Sequence, residues 1–135
     1  MDFEILFTDD HQEEVKDNHG ETVLERLEKR LEKKQSELEW VDRRDQAGSR
    51  FYNLFTHSDV TIAEAAFQAE RRNYRGILIL VDTEEGGVFV FLQVIEKEDR
   101  YESSEQRMVL DAIGRNPDEI IDYAKTEIVE NMDRF

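Results

Sequence analysis

Apolar residues follow two different rhythms along this chain. Ile77-Leu78-Ile79-Leu80-Val81 and, within Val88 to Ile95, Phe89-Val90-Phe91-Leu92 are unbroken runs of strand length, and Glu85-Gly86-Gly87 stands between them. They predict a central hairpin, Tyr74 to Asp82 against Val88 to Ile95, turning at the glycines. Strands apolar at every position are buried on both faces, so helices are expected over one face and part of the other. From Glu21 to about Trp40 the period changes. Leu24, Leu31 and Leu38 are spaced by seven, Leu27 lies between them and Glu25 precedes Lys29 by four, which predicts a long amphipathic helix. Its stripe is narrow, and about two and a half heptads is short for a coiled coil, which favours packing within the chain over pairing with a second copy.

The remaining elements are shorter. Phe3 to Phe7 reads as a strand, and Thr8 before Asp9 and Asp10 caps a short helix toward Asp17 that Asn18-His19-Gly20 stops. Between Asp42 and about Thr61, Arg43, Arg44, Asp45, Gln46 and Gly48 suggest a loop, and Phe51-Tyr52-Asn53-Leu54-Phe55 is expected to anchor the core. The alanines of Ile62 to Glu70 favour helix, while Ala65, Phe67 and Ala69 alternate with Ala66, Gln68 and Glu70 as in a half-buried strand; a turn at Arg71-Arg72-Asn73 tips the reading to strand. A helix is expected around Glu105 to Ile113. Another starts at Asn116, which caps Pro117, and continues through Ile120, Ile121, Ala124 and Ile128. The order is strand, helices, three strands, helices. It predicts an α+β fold, a small, mostly antiparallel sheet packed with N-terminal and C-terminal helices.

Composition narrows the class. A chain of 135 residues with 39% hydrophobic content suits one domain spanning 1–135. The absence of Cys excludes disulfides, thiolate metal sites and cysteine nucleophiles. No leader-like start or long apolar run is visible, so the expectation is a cytoplasmic protein without a membrane partner. The net charge of -15 opposes long-range attraction to nucleic acid. It has two readings: adaptation to a salty cytoplasm, where the Debye length falls to ~3 Å at 1 M, or an acidic surface that itself binds a basic partner.

Against that background, cations gather at one end of the predicted hairpin. Antiparallel pairing puts the start of one strand beside the end of the next, so Arg75 is expected near Lys97, Arg100 and Tyr101, with Arg71 and Arg72 in the preceding turn at that end. Cations that hold a phosphate and neutralise developing charge, plus a group that moves a proton, are what phosphoryl chemistry on RNA requires. The plainer account is that these cations sit in water and pair with Glu96, Glu98, Asp99 and Glu102.

Tyr74-Arg75 opening an apolar strand, Asp82 with a Gly turn, the strand Val88 to Ile95 and then Lys97-Glu98-Asp99-Arg100-Tyr101-Glu102 resemble the C-terminal half of the RelE/ParE superfamily of toxin-antitoxin toxins. The first strand, short helix and long helix are similar too, so the resemblance covers roughly residues 2–40 and 64–110. It implies a RelE-like fold and a metal-independent mRNA endoribonuclease with no cofactor, whose partners are an antitoxin protein and ribosome-bound mRNA attacked through the adjacent ribose hydroxyl. By resemblance Arg75 holds the phosphate, Arg100 stabilises its charge and Tyr101 moves the proton, with Arg71, Arg72 and Lys97 binding RNA. Two departures stand out. Gln68 and Glu70 occupy a strand that is commonly basic in the nucleases, and those toxins are usually basic overall.

A reading from another class is an acidic nucleic-acid mimic, an inhibitor of the phage anti-defence type that binds a basic nucleic-acid-binding protein. Its contacts would be Glu21, Glu25, Glu28, Glu32, Asp118, Glu119, Glu127 and Glu130, for which solvated helix faces are the plain alternative. A third is a toxin fold kept as a binding module. His11, His19 and His57 form no ligand pattern and read as surface histidines, and no metal is expected.

Overall fold

The computed structural model describes residues 2–40, 47–48, 50–51, 53–57, 59–84, 86–97, 109–111 and 113–132. Within them the continuous apolar runs form the middle of a five-stranded sheet. Strands β1 (Asp2–Leu6), β2 (Asn53–His57), β3 (Val60–Ala69), β4 (Arg72–Thr83) and β5 (Gly86–Lys97) lie in the order β1-β5-β4-β3-β2. Strands β2 to β5 form an antiparallel meander, and β1 returns parallel to β5. Helices α1 (Asp9–His19) and α2 (Glu21–Leu38) make the crossover from β1 to β2, and α3 (Pro117–Met132) follows the sheet. The fold is α+β as expected, with one strand more than the pattern showed. That strand is β2, hidden in the aromatic cluster: Phe51 and Phe55 are both buried, but in different layers, so no alternation marks it.

Two sheet faces make two cores. On one, Leu27, Leu31 and Leu38 of α2 and Val15 of α1 meet Ala63, Ala65, Phe67, Leu78, Phe89 and Phe91. On the other, Ile120, Ala124 and Ile128 of α3 meet Ile62, Ile77, Ile79, Val88 and Val90. Each fully buried aliphatic side chain contributes roughly 1.5–3 kcal/mol. Small residues set the α2 distance: a Cβ on Gly76 would lie 2.8 Å from Leu27 Cδ1. Asn116 caps α3 as expected, its Oδ1 accepting from the Asp118 N–H at 2.9 Å. Of the helix expected over Glu105 to Ile113, residues 109–111 and 113 are helical.

Both turns differ from expectation. Gly86 and Gly87 lie inside β5, paired with Thr83 and Asp82. Gly87 is there because the Phe3 ring of β1 would stand 2.7 Å from any Cβ. The β3–β4 turn falls one residue early, on Glu70 and Arg71, both at positive φ (51° and 66°), the two-residue geometry that matches strand twist but suits Asn and Gly better. Arg72 and Asn73 already belong to β4.

The outer strands are short. β1 covers β5 over Gly86 to Val90 and β2 covers β3 over Val60 to Glu64, so both flanking strands stop short of the β3–β4 turn. The free side of β1 is closed by α2, where Gln35 accepts from the Ile5 N–H at 2.6 Å and donates to the Phe3 carbonyl at 3.3 Å. Beyond β1, α1 packs beside β5, with His11 and Val15 buried. No helix among the described residues is long and apolar enough to cross a membrane.

Candidate functional site

The opposite edge, where β3 runs on past β2, carries the cations. Its builder is α2, whose 3.6-residue period sorts charge onto two flanks of the leucine stripe. Arg26, Lys29, Arg30 and Lys33, spaced i, i+3, i+4 and i+7, form one flank. Glu21, Glu25, Glu28 and Glu32 form the other. Between them Lys34 leans onto the chain before β2, donating to the Arg50 carbonyl and lying 5.4 Å above the Phe51 ring, and burial holds its pKa below the ordinary lysine value.

The basic flank faces β3 across a groove of about 560 Å³ lined by Arg26, Lys29, Arg30 and Lys33 and, from the sheet, Ala66, Phe67, Gln68, Asn73 and Arg75. Ala66, Phe67 and Gln68 are consecutive and point to alternate faces, so the groove passes over the strand's edge. At its far side Gln68 donates to Asn73 Oδ1 at 2.9 Å, tying β3 to β4. Arg75 is the deepest cation, 8% exposed, its guanidinium donating to the Tyr74 carbonyl at 3.0 Å. On a chain of net charge -15, four cations of α2 thus line one side of the groove, and Arg75, which the register places on the α3 face of the sheet, borders it across the β3 edge. Like charges gathered along one flank repel one another, and a bound anion relieves that repulsion.

The hairpin register brings part of the expected site together. Arg75 pairs with Ile95 and Asn73 with Lys97, so Arg75 and Lys97 occupy the same face at the same end, two residues apart along the strands. Arg71 and Arg72 lie at that end and are exposed. Arg72 is an ordinary surface pair, its Nη1 3.7 Å from Glu96 Oε2 with both side chains about half or more in water, and such pairs contribute little. Arg100 and Tyr101 lie outside the described residues. Sequence reasoning missed the four cations of α2, although their spacing was legible as a stripe. It also missed Glu64, fully buried in mid-β3 on the same sheet face as Arg75 and one pair further along. A carboxylate inside Ile62-Ala63-Glu64-Ala65 was the available signal, because a buried charge demands a compensating partner.

The acidic set proposed for a partner is divided between two helices on opposite faces of the sheet. Glu21, Glu25, Glu28 and Glu32 belong to α2, and Asp118, Glu119, Glu127 and Glu130 to α3, on the other side of the sheet. On α3, burial and the neighbouring Glu130 push the Glu127 carboxyl above its ordinary value.

His11 corrects the reading of surface histidines. It is 3% exposed and completes the α1 capping box: its Nδ1 accepts from the Thr8 N–H at 3.1 Å while Thr8 Oγ1 accepts from the His11 N–H at 3.2 Å. Its Nε2 lies 2.7 Å from the Tyr123 hydroxyl of α3, and its ring packs edge-on to Phe91. With Nδ1 accepting, the proton of the neutral ring sits on Nε2 and is donated to Tyr123. Burial holds the His11 pKa below 6.5 and pushes Tyr123 up to about 12. Among the described residues no group of three His, Asp or Glu converges in a way that would hold a metal ion. No protein-family model matches the chain, and no curated protein or solved structure is significantly similar to it.

Proposed function

We propose that the groove between α2 and the β3 edge binds the phosphate backbone of RNA, and that the protein acts as a relative of the RelE/ParE toxins. The observation that carries this reading is that Arg26, Lys29, Arg30 and Lys33 line one side of a groove of a strongly acidic molecule and Arg75 borders it across the β3 edge. The cationic flank of α2 is about 10 Å long at 1.5 Å per residue, which suits a run of phosphates better than a single anion. The surrounding acid restricts binding to this locus and repels a duplex laid across the whole surface.

In the toxin reading, bound RNA is cleaved without a metal. The ribose 2′ oxygen bonds to the adjacent phosphorus, the bond from phosphorus to the 5′ oxygen breaks, and the proton lost by the hydroxyl is balanced by one delivered to the leaving oxygen. Arg75 holds the phosphate, Arg100 neutralises the charge growing on it, and Tyr101 moves the proton. Lys97, Arg71 and Arg72 extend the contact at the same end of the sheet. An antitoxin would cover the groove.

The test is binding of a fluorescent RNA oligonucleotide by anisotropy across a salt series. For single strands the slope of log K against log salt is about -0.7 per neutralised phosphate, so Arg26→Glu with Arg30→Glu should flatten it by about 1.4 units as well as weaken binding. Unchanged binding by that double variant refutes the groove. In EDTA, the parent should yield fragments ending in a 2′,3′-cyclic phosphate and arrest growth when expressed. An Arg75→Ala protein as active and as toxic as the parent removes Arg75 from the reaction.

A further inference from the structure

Trp40 stands 85% exposed just past the end of α2, and it is the single tryptophan of the chain. Indole is among the side chains most favoured for burial or contact, and an isolated one held this far out in water gains nothing from the fold. Its position is set by the cationic flank. Trp40 follows Lys33 by seven residues, two helical turns with a drift of ~20°, so it falls on the same side of the helix as Lys33 and Lys29. The chain is still winding there. Glu39 keeps helical φ and ψ with its N–H bonded to the Gln35 carbonyl, and the Trp40 N–H reaches the Glu37 carbonyl at 3.4 Å. At helical pitch Trp40 stands roughly 21 Å along the axis from Arg26, past the end of α2 at Leu38 and beyond the residues that line the groove.

We infer that Trp40 is a base-stacking platform at one end of the cationic groove, so that the ligand is a single-stranded nucleic acid with unstacked bases. The inference rests on the phosphate-binding reading of the groove and specifies its substrate class. Cations that follow a backbone, together with an aromatic face open to a base, are the two components of single-strand recognition, and every base has a π-face to offer. A duplex keeps its bases stacked inside and presents none to the indole. The acid on the other flank of α2 opposes a second phosphate backbone on that side, which also disfavours a duplex.

The lone tryptophan reports on its own occupancy. Intrinsic fluorescence is titrated with an oligouridylate, with an RNA duplex of equal length and with inorganic polyphosphate. Quenching is expected from the oligouridylate, with little response to the other two. Trp40→Ala should weaken oligouridylate binding about 5- to 150-fold, the range for one stacked base, and leave polyphosphate binding unchanged. Trp40→Phe should recover part of the loss. At so exposed a position the substitution changes stability little, so the variant remains folded for the assay. The inference is overturned if polyphosphate quenches Trp40 as strongly as the oligonucleotide does, or if Trp40→Ala binds the oligonucleotide as the parent does. Failure of stacking alone leaves Arg26→Glu with Arg30→Glu defective for both polyanions. Failure of the groove leaves that double variant binding both normally.

Discussion

Replacing His11 by Gln should change how stability depends on pH while keeping the cap. Gln at this position of a helix can still accept from the Thr8 N–H, but it does not titrate. In the parent, His11 is neutral: Nδ1 accepts from Thr8, and protonation would place two donors face to face. The groups around it are Asp10, whose charge favours the protonated ring, and on α3 the Tyr123 hydroxyl, with Arg115 5.9 Å from the Tyr123 ring. Burial outweighs Asp10, so the folded pKa lies below the unfolded 6.5. Between those two values the unfolded chain binds more protons than the native one, and stability falls as the pH drops. The steepest slope is about 1.4 kcal/mol per pH unit, or about 5 °C in Tm for a domain of this size. Urea or thermal unfolding of parent and His11→Gln from pH 8 to pH 5 isolates the effect, because the many carboxylates contribute alike to both. The raised Glu127 has the opposite sign, losing stability as pH rises above its unfolded value, and is common to both proteins. The difference between the two proteins should be flat above about pH 7 and favour the variant progressively below pH 6.5. A difference that stays constant down to pH 5 refutes the buried, neutral histidine.

Two further outcomes concern the frame that holds the groove. Leu27→Ala removes a fully buried side chain between α2 and the sheet at Gly76, and urea unfolding should show a loss of about 2–5 kcal/mol; a loss below about 1 kcal/mol would mean that α2 is not seated as described. Arg71→Gly relieves a non-glycine residue at φ 66° in the turn, so it should raise stability by about 1 kcal/mol. The same change should weaken RNA binding if Arg71 contacts the backbone, and a variant that is no more stable shows that the turn is not strained.

The chain's pattern alone determined the elements with a strong period. α2 follows from its leucine spacing, β4 and β5 from continuous apolar runs, and α3 from Asn116 and Pro117, because these signals are local and need no neighbour to be read. The shared end of Arg75 and Lys97 was legible for the same reason, since a hairpin fixes which residues meet. Tertiary structure decided the rest. Gly87 looked like a turn and is a strand residue because Phe3, more than eighty positions away, needs its space. His11 looked exposed and is buried because Phe91 and Tyr123 arrive from other layers. The groove belongs to this class as well. The cations of α2 were visible as a stripe, but which flank of the helix would overlook the uncovered β3 edge depended on the order of the strands and on the shortness of β2, neither of which any local pattern specifies.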